Sequence, residues 1–245
     1  MAPEEDNPKK VSGSGTPQEP GGSQKPQAPG ATSAGSTVEG SPRRTPPQAS
    51  LIDQLAARGF GYADDFVDAG LLEDLRARCR SLHATGALRP ARIGRGAQER
   101  FAPEVRGDFI AWLSEPELDA EQRLLTRLEE LRVGLNRGLM SGLEDFHGHF
   151  AFYPAGAAYA RHSDRLVGTD VRAISVALYL NGDWSAGDGG LLRLHLGSGH
   201  QDVLPLGGRL VAFQSDRFEH EVLPARRERM SFTGWYRRRP LEGFV

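Results

Sequence analysis

The chain has 245 residues, with 30 Lys and Arg against 32 Asp and Glu and a formal net charge of −2. That balance gives no long-range attraction for nucleic acid or an anionic membrane, and neither is an expected partner. A single cysteine, Cys79, excludes an internal disulfide framework. No run approaches the roughly 20 apolar residues that cross a bilayer, and the N-terminus MAPEEDNPKK has no apolar leader core. A cytoplasmic protein is expected.

Residues 1–49 are rich in Pro, Gly, Ser, Thr, Gln and charge, with almost no large apolar side chains. Such a segment cannot bury enough surface to offset its ordering entropy, so a disordered arm is expected. Residues 50–245 suit one domain. Its first part, about 50–142, reads as helical. Ser50 is placed to cap a helix carrying Leu51, Ile52 and Leu55, ended by Gly59. Asp68 caps a second, with Leu71, Leu72, Leu75, Cys79 and Leu82. Asp119 opens the longest, where Leu124, Leu128, Leu131, Leu135 and Leu139 form one apolar stripe. The Gly/Arg-rich stretch 91–104 between them suits a lid over a peptide substrate.

From about residue 146 to 237 the pattern changes to short β-like runs divided by Gly, Pro, Asn and Asp. They are Phe146–Tyr153, Tyr159–His162, Ala173–Leu180, Leu191–Leu196, Gln201–Leu204, Leu210–Phe213, His220–Leu223 and Arg229–Tyr236. About eight strands indicate a sandwich or jelly roll, with the helices outside one sheet: an α+β fold whose β core carries the chemistry. Alternation along the strands sorts their faces. Arg229, Ser231, Thr233 and Trp235 share one side, and Met230, Phe232 and Tyr236 the other. Tyr179 lies with Ala177 and Ser175, and Tyr153 with Ala151 and His149. His147 and His149 make a second His-x-His, which lacks a nearby carboxylate or cysteine and reads as surface or lumen histidines.

The chemistry concentrates in His162-Ser163-Asp164, a distant His220, and Arg229 nine residues beyond it. Two imidazoles and one carboxylate can take one face of an octahedral Fe(II) and leave three positions open. An Arg on a lumen face needs an anion, because an unpaired buried charge is very costly. A dicarboxylate keto acid meets both needs: its far carboxylate pairs with Arg229 and accepts from Tyr179, and its keto-acid end chelates iron.

The stretch from Phe146 to Tyr236 resembles the Fe(II)/2-oxoglutarate-dependent oxygenases, in particular the hypoxia-inducible-factor-type prolyl hydroxylases and their bacterial relatives. The matching residues are Tyr153-Pro154, Tyr159-Ala160-Arg161-His162-Ser163-Asp164, Tyr179-Leu180-Asn181 with Asp183-Trp184, and Gly189-Gly190. The match ends on His220-Glu221-Val222-Leu223-Pro224, Arg229, Thr233 and Trp235-Tyr236.

The resemblance implies a double-stranded β-helix in which His162, Asp164 and His220 bind Fe(II). It assigns Arg229, with Tyr179, Tyr153 and Thr233, to 2-oxoglutarate. It places Tyr159, Arg172, Trp235, Arg106, Asp108, Ile110 and Trp112 around a target proline or its entrance. The implied reaction is O2-dependent prolyl hydroxylation with release of succinate and CO2, ascorbate being a possible supporting reductant. The implied partner is a proline-containing protein or peptide, such as a translation factor or a transcription factor, met by a monomeric enzyme. Hydroxylation of a small molecule or free amino acid is the alternative, and a non-catalytic jelly-roll module a third reading. The chain departs from the pattern in the loops Tyr153–His162 and Trp184–Gly189, each a residue shorter than in the animal enzymes, and at His149, where an apolar residue is usual.

Overall fold

The computed structural model describes residues 47–94, 99–165 and 171–239. The expected arm therefore lies outside the described residues except for its last three, as do residues 95–98 of the expected lid. Helix α1 (Pro47–Arg58) begins three residues ahead of Ser50. Proline suits the first helical position, where its missing N–H would be unpaired in any case. Ser50 is thus an internal helix residue and not the cap, while Gly59 ends the helix at φ +81°.

Helix α2 (Ala69–Ala84) is capped as expected, Asp68 accepting from the Leu71 N–H at 2.9 Å. Helix α3 (Asp119–Leu139) is tied to α2 through buried Glu121. That carboxylate accepts from Arg78 at 2.7 Å and from the N–H groups of Glu117 and Leu118 at 2.7 and 3.1 Å.

Among the described residues eleven strands form two antiparallel sheets. In chain order they are β1 (Phe60–Ala63), β2 (Arg89–Pro90), β3 (Phe109–Trp112), β4 (Leu143–Tyr153), β5 (Tyr159–His162) and β6 (Arg172–Tyr179). There follow β7 (Leu192–His195), β8 (His200–Val203), β9 (Leu210–Gln214), β10 (His220–Val222) and β11 (Arg229–Arg238). The major sheet runs β1-β9-β6-β11-β4-β3-β2 and the minor sheet β5-β10-β7-β8. The jelly-roll expectation holds, with one correction. Residues 50–142 are not purely helical support, because β1, β2 and β3 arise there and form both margins of the major sheet. Each has four residues or fewer, too short for alternation to stand out from neighbouring helix.

The faces separate as alternation requires. Leu124, Leu128, Leu131 and Leu135 of α3 and Leu71, Leu75 and Cys79 of α2 bury against Phe150, Ile174, Leu178, Met230, Phe232 and Tyr236. The Tyr236 hydroxyl donates to the Leu128 carbonyl at 2.7 Å, satisfying the one polar atom that side chain brings into the apolar layer. The opposite face of the major sheet meets the minor sheet through Ala151, Ala177, Val211 and Phe213 against Leu192, Leu194, Val203 and Val222. The terminal arginines are ion-paired strand ends: Arg237 holds Asp145 and Arg239 holds Glu144. No described helix is long and apolar enough to cross a membrane.

Candidate active site

Antiparallel pairing of β5 with β10 sets His162 directly opposite His220. Asp164 lies two residues past β5 and turns back to the same point. The ligand atoms of all three lie within 4.8 Å of one another. His220 Nε2 is 3.5 Å from one carboxylate oxygen of Asp164, and His162 Nε2 is 3.8 Å from the other. Each imidazole Nδ1 faces a backbone carbonyl, Ala160 at 2.8 Å and Phe218 at 3.4 Å. An Nδ1–H donated to those carbonyls leaves the Nε2 lone pairs for a metal. Ring contacts fix the orientation further: Tyr159 stacks on His162 at 3.6 Å between centroids, and Phe213 packs edge-on to His220 at 4.7 Å.

The protonation states suit metal binding. Burial pushes His162 down to about 4, helped by the neighbouring His220, so its imidazole is neutral at pH 7. Burial alone would raise Asp164, but His220, His162 and a hydrogen bond from Ser175 outweigh it, and the carboxyl lies below its usual range. The Ser175 hydroxyl donates to Asp164 at 2.7 Å and is itself 2.8 Å from the Ser215 hydroxyl. Two imidazoles and one carboxylate on a single face, with both Nδ1 atoms engaged elsewhere, fit a ferrous ion with open positions.

Arg229, at the start of β11, is buried beside this cluster. Its Nε donates to the Gly190 carbonyl at 2.9 Å. That approach needs glycine: Gly190 sits at φ +69°, and a Cβ there would lie 3.0 Å from Ala225 and 3.2 Å from Arg229. The guanidinium stands 5.1 Å from the rings of both Tyr153 and Tyr179. Among the described residues no carboxylate pairs with it, and the Tyr179 hydroxyl is buried without a hydrogen-bond partner. A buried orphan of that kind costs about 1–3 kcal/mol. Burial raises both tyrosines above their usual range, so each remains a neutral donor. A cation and an unsatisfied hydroxyl side by side fit a carboxylate.

One cavity of about 560 Å³ joins the cluster to Arg229. Tyr153, Tyr159 and Thr233 line it, and Tyr179 lies fully buried behind its wall. The residues expected around the entrance line it as well. Arg106 grips Asp108 through two hydrogen bonds of 2.8 and 3.0 Å and covers the Tyr159 ring at 4.7 Å. Arg172 lies 3.6 Å over the Trp235 ring. Ile110 and Trp112 complete that side from β3, Trp112 remaining half exposed. Sequence reasoning missed the Ser175–Ser215 pair. Its only trace is a serine inside the apolar run of β6, which reads equally well as a small residue leaving space.

A family profile described as the 2OG-Fe(II) oxygenase superfamily matches residues 148–237. Human prolyl hydroxylase EGLN3 is 35% identical over 195 residues, covering 76% of this chain and 81% of its own. The chain belongs to the 2OG-Fe(II) oxygenase superfamily. Among solved structures, a Pseudomonas putida prolyl-4-hydroxylase is 44% identical with a TM-score of 0.73, over 79% of this oxygenase and 100% of that chain. A prolyl hydroxylase from Trichoplax adhaerens, solved with a hypoxia-inducible-factor peptide fragment, is 27% identical with a TM-score of 0.70, over 78% and 88%. This oxygenase is an oxidoreductase of the prolyl 4-hydroxylase type, as the sequence resemblance implied.

Proposed function

We propose that the enzyme hydroxylates a prolyl residue in a protein, with His162, Asp164 and His220 holding Fe(II) and Arg229 holding the far carboxylate of 2-oxoglutarate. The observation that carries this reading is the shared cavity: three convergent donors at one place and, at another, a buried cation with no carboxylate partner among the described residues. Fe(II) held by these three side chains would supply the oxidising chemistry that couples O2 and 2-oxoglutarate to hydroxylation, with succinate and CO2 as the co-products. The protein's part is to bind, orient and exclude water. Arg229 and the neutral Tyr179 hydroxyl fix one end of the co-substrate, with Tyr153 and Thr233 along the wall between that end and the metal ligands. Tyr159 keeps the His162 ring in place. Arg106, Asp108, Ile110, Trp112, Arg172 and Trp235 shape the approach, and the exposed face of Trp112 offers apolar surface to an incoming chain.

Ser175 acts through Asp164. Ser175→Ala frees that carboxylate to rotate, and Fe(II) affinity is expected to fall by about 10- to 100-fold, as read by metal competition titration. An affinity equal to wild type would show that Asp164 is oriented by something else.

The substrate class is tested by incubating a cell lysate with the enzyme, Fe(II), 2-oxoglutarate and labelled O2, followed by peptide mass spectrometry. Prolyl residues gaining one heavy oxygen are expected. Label appearing only in small metabolites would replace a protein substrate with a small molecule.

A further inference from the structure

His149 on β4 is buried in the cavity wall, and its Nδ1 has no hydrogen-bond partner. The imidazole sits among aromatic surfaces, 4.8 Å from the Trp112 ring and 5.7 Å from Trp235. Packing alone does not ask for nitrogen here, since leucine or methionine would fill such a space without leaving a polar atom unsatisfied.

Strand register locates this imidazole relative to the two ends of the site. Along β4 and β11 the cavity-facing pairs run Tyr153 with Arg229, Ala151 with Ser231, then His149 with Thr233. Strand β6 extends the same rows: Tyr179 stands beside Ser231, Ala177 beside Thr233, and Ser175 beside Trp235. Successive rows are roughly 6.8 Å apart. Arg229 marks one end of the cavity, and Ser175, which holds Asp164, marks the other. His149 and Thr233 occupy the row next to Ser175. The Arg229 guanidinium already stands 5.1 Å from the ring of Tyr179 in the second row, so a five-carbon dicarboxylate anchored there and reaching toward the three metal ligands has one row left to span to His149.

We propose that the His149 imidazole donates a hydrogen bond to the keto-acid carboxylate of bound 2-oxoglutarate, making it a second protein anchor for the co-substrate. This rests on the assignment of Arg229 and the three metal ligands above. Burial, with the Arg106 charge adding to it, pushes His149 down to about 3, so the ring is neutral and carries a single N–H to donate. The neighbouring Thr233 hydroxyl, 3.2 Å from that of Ser231, gives the same row a second polar group.

The test is calorimetric titration of 2-oxoglutarate, without oxygen, into full-length protein loaded with Mn(II). His149→Leu, which keeps the volume and removes the donor, is expected to weaken binding on the order of tenfold. His149→Gln, which restores an N–H, should recover most of the loss. The metal-free Leu variant should melt no lower than wild type, because it removes an unsatisfied buried atom. Leu-variant binding within about twofold of wild type overturns the proposal. Equal loss in both variants together with a lowered Tm assigns His149 to packing and overturns it too. Wild-type protein that binds Mn(II) but not 2-oxoglutarate would remove the Arg229 assignment, and this contact with it.

Discussion

Asp164→Asn and His220→Ala are expected to abolish 2-oxoglutarate-dependent succinate formation. The asparagine variant is the sharper of the two. It keeps the size of the side chain and an oxygen able to accept from Ser175, which donates to the native carboxylate at 2.7 Å, so the fold has little reason to change. What it removes is the only negative charge among the three ligands. Two imidazoles and an amide would then face a dication without the carboxylate charge that offsets it in a buried site. Loss of a direct ligand should exceed the 10- to 100-fold typical of outer partners, so a metal-affinity loss of more than about 100-fold is expected. Metal content after gel filtration, read beside a circular dichroism spectrum, separates this from misfolding. Undiminished turnover by both variants would remove the proposed ligand set.

Arg229→Ala should leave the metal ligands intact and raise the KM for 2-oxoglutarate by two orders of magnitude or more. Truncating one partner of a buried, hydrogen-bonded charge pair costs about 2–5 kcal/mol, and each 1.4 kcal/mol is about tenfold. Arg229 is the cation that stands over both tyrosine rings, whereas, of the two, Arg106 acts only on Tyr153 and Arg209 only on Tyr179. Arg229→Lys should recover only part of the loss, since a lysine lacks the planar fork that meets a carboxylate with two parallel hydrogen bonds. Steady-state kinetics at saturating Fe(II) measure both variants. An unchanged KM in the alanine variant would mean that a different group holds the far carboxylate.

Much of this was legible in the sequence because the β core obeys a period of two. The alternation in Arg229–Tyr236 correctly separates the cavity side from the packing side, and the cavity side carries the cation. The three metal-binding candidates were readable as residue types. Their convergence was not, since it depends on the pairing of β5 with β10 in one register. Strands β1, β2 and β3 escaped because they are short and sit at the margins of the sheet, where pairing partners and not local pattern decide the conformation. Pro47 displaced Ser50 as the start of α1 by a local rule the sequence did carry. The Ser175–Ser215 hydroxyl pair was hidden for a different reason. Each serine is unremarkable alone, and only the tertiary fold brings residues 40 positions apart to a 2.8 Å contact.

The place of β11 in the sheet has a consequence for biosynthesis. Among the described residues it is the last strand in chain order, yet it lies between β6 and β4, exchanging hydrogen bonds with both. Until it leaves the ribosome, two long apolar strands have open edges facing each other across an empty slot, the kind of surface that recruits foreign strands. A polypeptide halted before residue 229 also lacks the cation proposed to anchor the co-substrate, even with His162, Asp164 and His220 already translated. Closure of the sheet therefore waits for β11, and a chain that has not yet placed that strand carries the open edges most prone to foreign pairing.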